Sequence, residues 1–199
     1  MKLENLEKTW DNIARKWNDY RTKIPVSVEK FLKQQNGKVL DLGCGSGRHF
    51  IKNENLKFYG VDFSEEMLKY AREKNVAIEL KKSNSFKIPY ENDFFDAVLC
   101  YSVLHCIKEK SERQKTIEEI YRTLKPKSRA FISVWGRKSA RLKNKPKECF
   151  VPWSSGLEGQ EKRFVYIYDK EELKKELENA GFKILNFWEE RNINAIVEK

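Results

Sequence analysis

The sequence has little from which to build a metal site, a disulfide framework or a membrane anchor. Only two histidines, His49 and His105, stand among 199 residues, and the four cysteines, Cys44, Cys100, Cys106 and Cys149, form no Cys-x-x-Cys pair. Metal-ligand and disulfide spacings are therefore both missing. No run of eighteen apolar residues occurs, and the first eight residues, from Met1 to Lys8, have neither a hydrophobic signal core nor Arg-rich transit character. The expectation is a soluble, cytoplasmic protein without membrane contact. No Ser-His-Asp or Cys-His set suited to nucleophilic catalysis can be traced. The dinucleotide fingerprint is absent too, because Gly-x-Gly-x-x-Gly starting at Gly43 needs a glycine at position 48, which is Arg48.

What the chain does contain is organised around Lys38 to Gly47. Val39, Leu40 and Leu42 suit a buried parallel strand, and glycines follow at alternate positions, Gly43, Gly45 and Gly47. A strand entering a glycine-rich turn builds a nucleotide pocket. Asp41 stands at its edge, where an acid repels a pyrophosphate and attracts a cation, so the pattern favours a phosphate-free, positively charged nucleoside such as S-adenosyl-L-methionine. Asp62 ends the next strand, Phe58 to Phe63, at the spacing where a carboxylate takes ribose hydroxyls.

Hydrophobic residues make up 40% of the chain, enough for one domain over 1–199 and too few residues for two. Leu3, Leu6, Trp10, Ile13, Trp17 and Tyr20 recur at helical spacing and predict a helix over 3–20, with Trp10 and Trp17 covering a sheet face. Arg21 follows it, either as a ligand contact or as surface charge. A second helix over 26–35 completes an N-terminal helical segment, 1–36. Further strands are expected at 76–80, on a sheet edge, at 94–102 and at 130–135, with a helix over 111–125 stopped by Pro126. Asp169, Glu172 and Gly181 bracket a last helix, and Phe182 to Glu190 with Asn192 to Lys199 read as a hairpin. Alternating strands and helices predict an α/β, Rossmann-like fold, its mostly parallel sheet covered by helices on both faces and its ligand at the C-terminal strand ends.

Net charge is +10, and Arg137, Lys138, Arg141, Lys143, Lys145 and Lys147 fall within eleven residues without an intervening acid. This run, inside an insertion over 137–163, reads either as a solvated loop or as a contact for a polyanion beside the pocket. Trp153 either plugs the core or stacks on a base.

Asp41-Leu-Gly-Cys-Gly-Ser-Gly47, Asp62 and the 94–105 region resemble the class I S-adenosylmethionine-dependent methyltransferases. The resemblance implies a seven-stranded sheet ending in an antiparallel hairpin. It sets Asp41, Gly43 and Gly45 at the methionine end of the cofactor, Asp62 at the ribose and Asn84 at the adenine, with Cys44, Gly47, Phe63, Ser85 and Tyr101 along the same pocket. S-adenosyl-L-homocysteine is then the product.

A narrower set is Trp10-Asp-x-Ile-Ala14 leading to Tyr20-Arg21, Val103-Leu-His105, Val134-Trp135, Phe150-Val-Pro-Trp153, Arg163 to Tyr168 and Glu190-Arg-Asn192. It resembles the tRNA wobble-uridine carboxymethyl methyltransferases, including the methyltransferase half of the AlkB-homologue tRNA-modifying enzymes. That family esterifies 5-carboxymethyluridine in the anticodon loop and works with a small zinc-binding activator subunit. Histidines usual after His105 and at Tyr166 are replaced, by Cys106 and by Tyr166 itself, and the usual tryptophan after Asn192 is Ile193. The resemblance implies substrate-positioning roles for Arg21, His105 and Arg163, although His105 equally reads as a buried histidine satisfied by backbone. The basic run and Trp153 would meet the RNA, and strand 76–82 would pair with the activator. A small-molecule methyltransferase and a non-catalytic, cofactor-binding RNA module are the competing readings.

Overall fold

A computed structural model describes residues 3–74, 78–139, 142–153 and 161–199. Helix α1 (Leu3–Tyr20) and α2 (Val26–Leu32) precede strand β1 (Gly37–Leu42). Then come β2 (Leu56–Asp62), α3 (Glu65–Lys74), β3 (Glu79–Lys82), β4 (Phe95–Tyr101), a 3-10 turn (Leu104–Cys106), α4 (Lys110–Thr123) and β5 (Leu124–Trp135). The chain continues through β6 (Glu148–Pro152), β7 (Lys162–Tyr166), α5 (Lys170–Asn179), β8 (Lys183–Glu189) and β9 (Asn192–Glu198). Seven strands form one sheet in the order β3-β2-β1-β4-β5-β9-β8, parallel except at β9, which runs antiparallel to both neighbours. This is the seven-stranded sheet with a C-terminal hairpin that the sequence led one to expect.

Alternation along β1 decides which side each residue serves. Leu40 and Leu42 enter a core with Ile117 and Ile120 of α4 and Leu173 and Leu177 of α5. Val39 points the other way, packing with Val28, Phe31 and Leu32 of α2 and with Phe131. Asp41 shares the parity of Val39. Strand order reverses between β1 and β4, and the crevice at their C-terminal ends is where a ligand fits such a sheet.

Three elements differ from the sequence expectation. Strand β5 starts at Leu124 rather than at residue 130, because the backbone leaves α4 extended at Leu124 (φ −77°, ψ 135°) and pairs with Phe95 across a bulge. The edge strand lies at Glu79–Lys82, paired with β2 alone among the described residues, while Val76 falls outside them. The insertion holds its own antiparallel pair, β6 with β7, which no alternation in the sequence had announced.

Candidate active site

The turn after β1 is shaped by left-handed backbone. Gly43 has φ +69° and a β-carbon there would stand 2.4 Å from Val103 Cγ2. Gly45, at φ +54°, would meet nothing nearer than Trp17 Nε1 at 3.5 Å. Gly43 is thus required by packing, whereas Gly45 forms an open floor. Above that floor lies a cavity of about 980 Å³, open space at its mouth included, lined by Gly43, Cys44, Gly45, Asp62, Phe63, Asn84, Ser85 and Tyr101 among others. These eight are all among the cofactor residues expected from the sequence.

Asp62 is buried, and its two oxygens accept backbone N–H groups from Gly45 (2.8 Å) and Ser64 (2.9 Å). Burial pushes its carboxyl up to about 6, against the pull of those two bonds. It is therefore mostly ionised at pH 7, with lone pairs left for two hydroxyl donors. A carboxylate acceptor, a glycine floor and a mostly apolar wall suit a cationic nucleoside, so the residues fit S-adenosylmethionine. Asp62 would hold the ribose, Asn84 the adenine and Gly43 to Gly45 the amino-acid end.

Asp41 and Gly47 stand elsewhere than expected. Asp41 is fully buried and turned to His49, whose Nδ1 lies 3.0 Å from Oδ2, so its charge does not line the cavity. Gly47 (φ +76°) is a packing glycine, with Phe50 Cε2 2.7 Å from where a β-carbon would sit.

The expected positioning residues are also redistributed. His105 is no cation at the rim: it is 2% exposed, stacks on Trp135 at 4.8 Å and accepts the Trp135 backbone N–H on Nδ1 (3.3 Å). Burial, aided by Arg163, pulls its imidazole down to about 3, so it is neutral at physiological pH. Arg163 is buried among four indoles, its guanidinium 5.1–5.7 Å from the ring centres of Trp10, Trp17, Trp135 and Trp153. Arg21 lies over Trp17 (5.3 Å) and Trp153 (5.6 Å). One aromatic cluster therefore gathers both arginines beside the cavity, through Trp10 and Trp17, which line it. Those tryptophans do more than cover a sheet face. Trp153 also tilts onto Trp17 (5.1 Å), so its ring is engaged inside the molecule rather than offered to a base.

The basic run is partly neutralised in space. Arg137 lies 3.7 Å from Asp169, Lys138 3.6 Å from Glu189, and Lys147 3.0 and 2.9 Å from Asp169 and Glu172. Lys143 and Lys145 are exposed, and Arg141 lies outside the described residues. Arg137, Lys138 and Lys143 line a second depression that shares no residue with the cofactor cavity. The sequence reading missed Arg48 and His49, which line the cavity, and Val103, which seats Gly43. The basic Arg48 at the failed glycine position was the available signal. No group of His, Cys, Asp and Glu among the described residues has a metal-binding arrangement, and no described helix is long and apolar enough to cross a membrane.

Residues 40–132 match the methyltransferase domain family. A Schizosaccharomyces pombe tRNA (carboxymethyluridine(34)-5-O)-methyltransferase is 28% identical over 98% of this chain and 96% of its own. The chain spans only about a third of the length of other relatives, such as the probable tRNA methyltransferase 9B of Mus musculus, 26% identical with 79% and 35% covered. Among solved structures, a SAM-dependent methyltransferase from Aquifex aeolicus superposes with a TM-score of 0.69 at 25% identity, covering 94% of this chain and 97% of that one. A putative methyltransferase from Haloferax volcanii, solved in complex with the Trm112 methyltransferase activator, gives a TM-score of 0.72 at 16% identity over 99% and 97%. Fold, matched domain and relatives converge: the chain has a class I methyltransferase fold with a methyltransferase domain over residues 40–132, and it is similar to S-adenosylmethionine-dependent methyltransferases, among them those named for tRNA carboxymethyluridine.

Proposed function

We propose that this protein forms the methyl ester of 5-carboxymethyluridine at the wobble position of tRNA, acting through residues 1–199 as one domain. The observation that carries this reading is the protonation chemistry around the cavity. Burial pushes the Cys106 thiol up to about 12 and raises the Tyr101 phenol, and His105 is pulled down to about 3. None of these three is poised to take a proton from an alcohol or amine near pH 7, and Asp62, whose carboxyl titrates near 6, accepts two backbone N–H groups and would be taken up by the ribose. A carboxylate arrives already ionised and needs no base. When bound, the cofactor supplies a methyl carbon activated by its sulfonium. The protein's own task is to orient an anion in line with that carbon and to exclude water, and Arg21 and Arg163 in the tryptophan cluster supply the positive charge for the first part.

The named activity of the Schizosaccharomyces pombe relative supports the RNA acceptor, and the Haloferax volcanii complex supports an activator subunit. Strand β3 is an open edge on which a partner strand would add. A small-molecule acceptor is favoured by the acids that pair with Arg137, Lys138 and Lys147. One experiment separates these readings: labelled S-adenosylmethionine and total tRNA, with and without an activator subunit, followed by identification of the nucleoside. A methyl ester on wobble uridine is the expected result. Label on a small molecule and none on RNA overturns the RNA reading, and RNA binding without any label leaves only a non-catalytic module.

A further inference from the structure

Asp41, His49 and Arg48 form one chain of hydrogen bonds behind the glycine turn. Arg48 Nε donates to His49 Nε2 at 3.0 Å, and His49 Nδ1 lies 3.0 Å from Asp41 Oδ2. The arginine has no lone pair to offer, so Nε2 is the acceptor and the imidazole proton sits on Nδ1, facing Asp41. The polarity of the chain is thereby set. Asp41 and His49 are almost wholly buried, at 0% and 2% exposed, and act as a rigid mount for a side chain that is not.

Arg48 spends only Nε on that mount. Its guanidinium lines the cofactor cavity, 5.5 Å from the Tyr101 ring centre, and its terminal nitrogens make no hydrogen bond among the described residues. The surroundings are positive. Burial and the neighbouring Arg21 lower Arg48, opposed by Tyr101 and Asp41, and Lys74 feels Arg48 as a like charge. Burial raises the Tyr101 phenol against the pull of Arg48, Arg191 and Arg21. Asp62 lies in the same cavity and disfavours a dianionic phosphate, while a planar guanidinium with two free N–H directions matches a carboxylate.

We propose that Arg48, held in place by His49 and Asp41, is the carboxylate anchor of this cavity. The chemistry is shared by two sources, the α-carboxylate of the cofactor and the carboxylate of the acceptor, and the second rests on the function proposed above. The test compares wild type, Arg48→Met and Arg48→Lys by calorimetry with S-adenosylhomocysteine and with 5′-methylthioadenosine, which lacks the amino-acid end. Loss of a charge-assisted contact weakens homocysteine-form binding by about 10- to 100-fold. If the cofactor is the source, Arg48→Met loses that affinity, methylthioadenosine binding stays unchanged and so proves the pocket intact, and Arg48→Lys recovers part. If the acceptor is the source, both nucleosides bind normally and the loss appears in binding of tRNA bearing 5-carboxymethyluridine. Parallel loss of both nucleosides, or no loss with any of the three ligands, overturns the proposal. The nucleoside arm does not involve the acceptor, so it stands or falls independently of the RNA reading.

Discussion

At the scale of single residues, the two glycines of the turn separate stability from binding. Gly43→Ala forces a β-carbon against the stiff Val103 side chain in left-handed backbone, so it should cost about 2 kcal/mol or more by denaturant unfolding. Gly45→Ala has room in the protein and should cost only about 1 kcal/mol of backbone strain. Its methyl group instead occupies the floor of the cavity, so S-adenosylhomocysteine affinity should fall by more than the stability does. Equal affinity losses for the two variants would contradict this division. Asp62 gives the pH dependence. Its folded carboxyl titrates near 6, above the ordinary unfolded value, so in the free protein this group favours folding at low pH and that contribution is lost as pH rises through about 6. Cofactor binding runs the opposite way, because only the ionised form accepts two ribose hydroxyls. The rise in melting temperature caused by S-adenosylhomocysteine should therefore be full at pH 7.5 and shrink below pH 6, a trend that thermal melts across pH 5 to 8 check directly. Asp62→Asn should show a small rise at every pH.

At the scale of elements, α1 is the piece whose role the sequence concealed. Its apolar stripe was legible as a helix, since a 3.6-residue period identifies a buried face. What that face meets was not legible, because periodicity carries no information on a partner far along the chain. Asp11 accepts from the Ser64 hydroxyl at 2.5 Å and from the Glu66 N–H at 3.4 Å, while Ser64 Oγ accepts the Met67 N–H at 3.1 Å. The start of α3 is thus capped in part from α1, and Trp17 is thereby set over Gly45. Asp11→Ala should lower stability by about 1 kcal/mol, as loss of a cap does, and should weaken cofactor binding beyond that through Trp17. Unchanged cofactor affinity would mean that α1 is only a cover. The same limit explains the rest of the site. Asp62, Asn84, Gly43 and Gly45 were readable as cavity residues because strand ends fix their positions within a few residues of a motif. Asp41 was misplaced, and His105 stayed open between a rim cation and a buried histidine held by backbone, because their surroundings come from His49, Trp135 and Arg163, through contacts that no local pattern encodes. The β6–β7 pair escaped because its residues lack alternation, yet it carries Arg163 into the tryptophan cluster.

At the scale of the whole molecule, a net charge of +10 says less about partners than its arrangement does. The basic run has no acid in sequence but acquires Asp169, Glu172 and Glu189 in space, supplied by the start of α5 and the end of β8. Lys147 is bound into a cluster with Asp169, Glu172 and the Tyr166 ring at 5.4 Å, and Tyr166 donates its hydroxyl to Glu172. Lys143 and Lys145 enter no ion pair among the described residues and are exposed, so they retain a charge that an RNA phosphate can use. Each phosphate contact adds about 0.7 to 0.9 to the slope of log affinity against log salt, through release of counterions. Replacing both lysines by serine should therefore flatten the slope for tRNA by about 1.4 to 1.8 while leaving S-adenosylhomocysteine binding and unfolding unchanged. Lys147→Ala should do the reverse, lowering stability by up to about 1 kcal/mol with little change in slope, because its charge is already spent inside the fold. An unaltered slope in the double variant would remove this patch from the RNA interface and shift weight to the small-molecule acceptor.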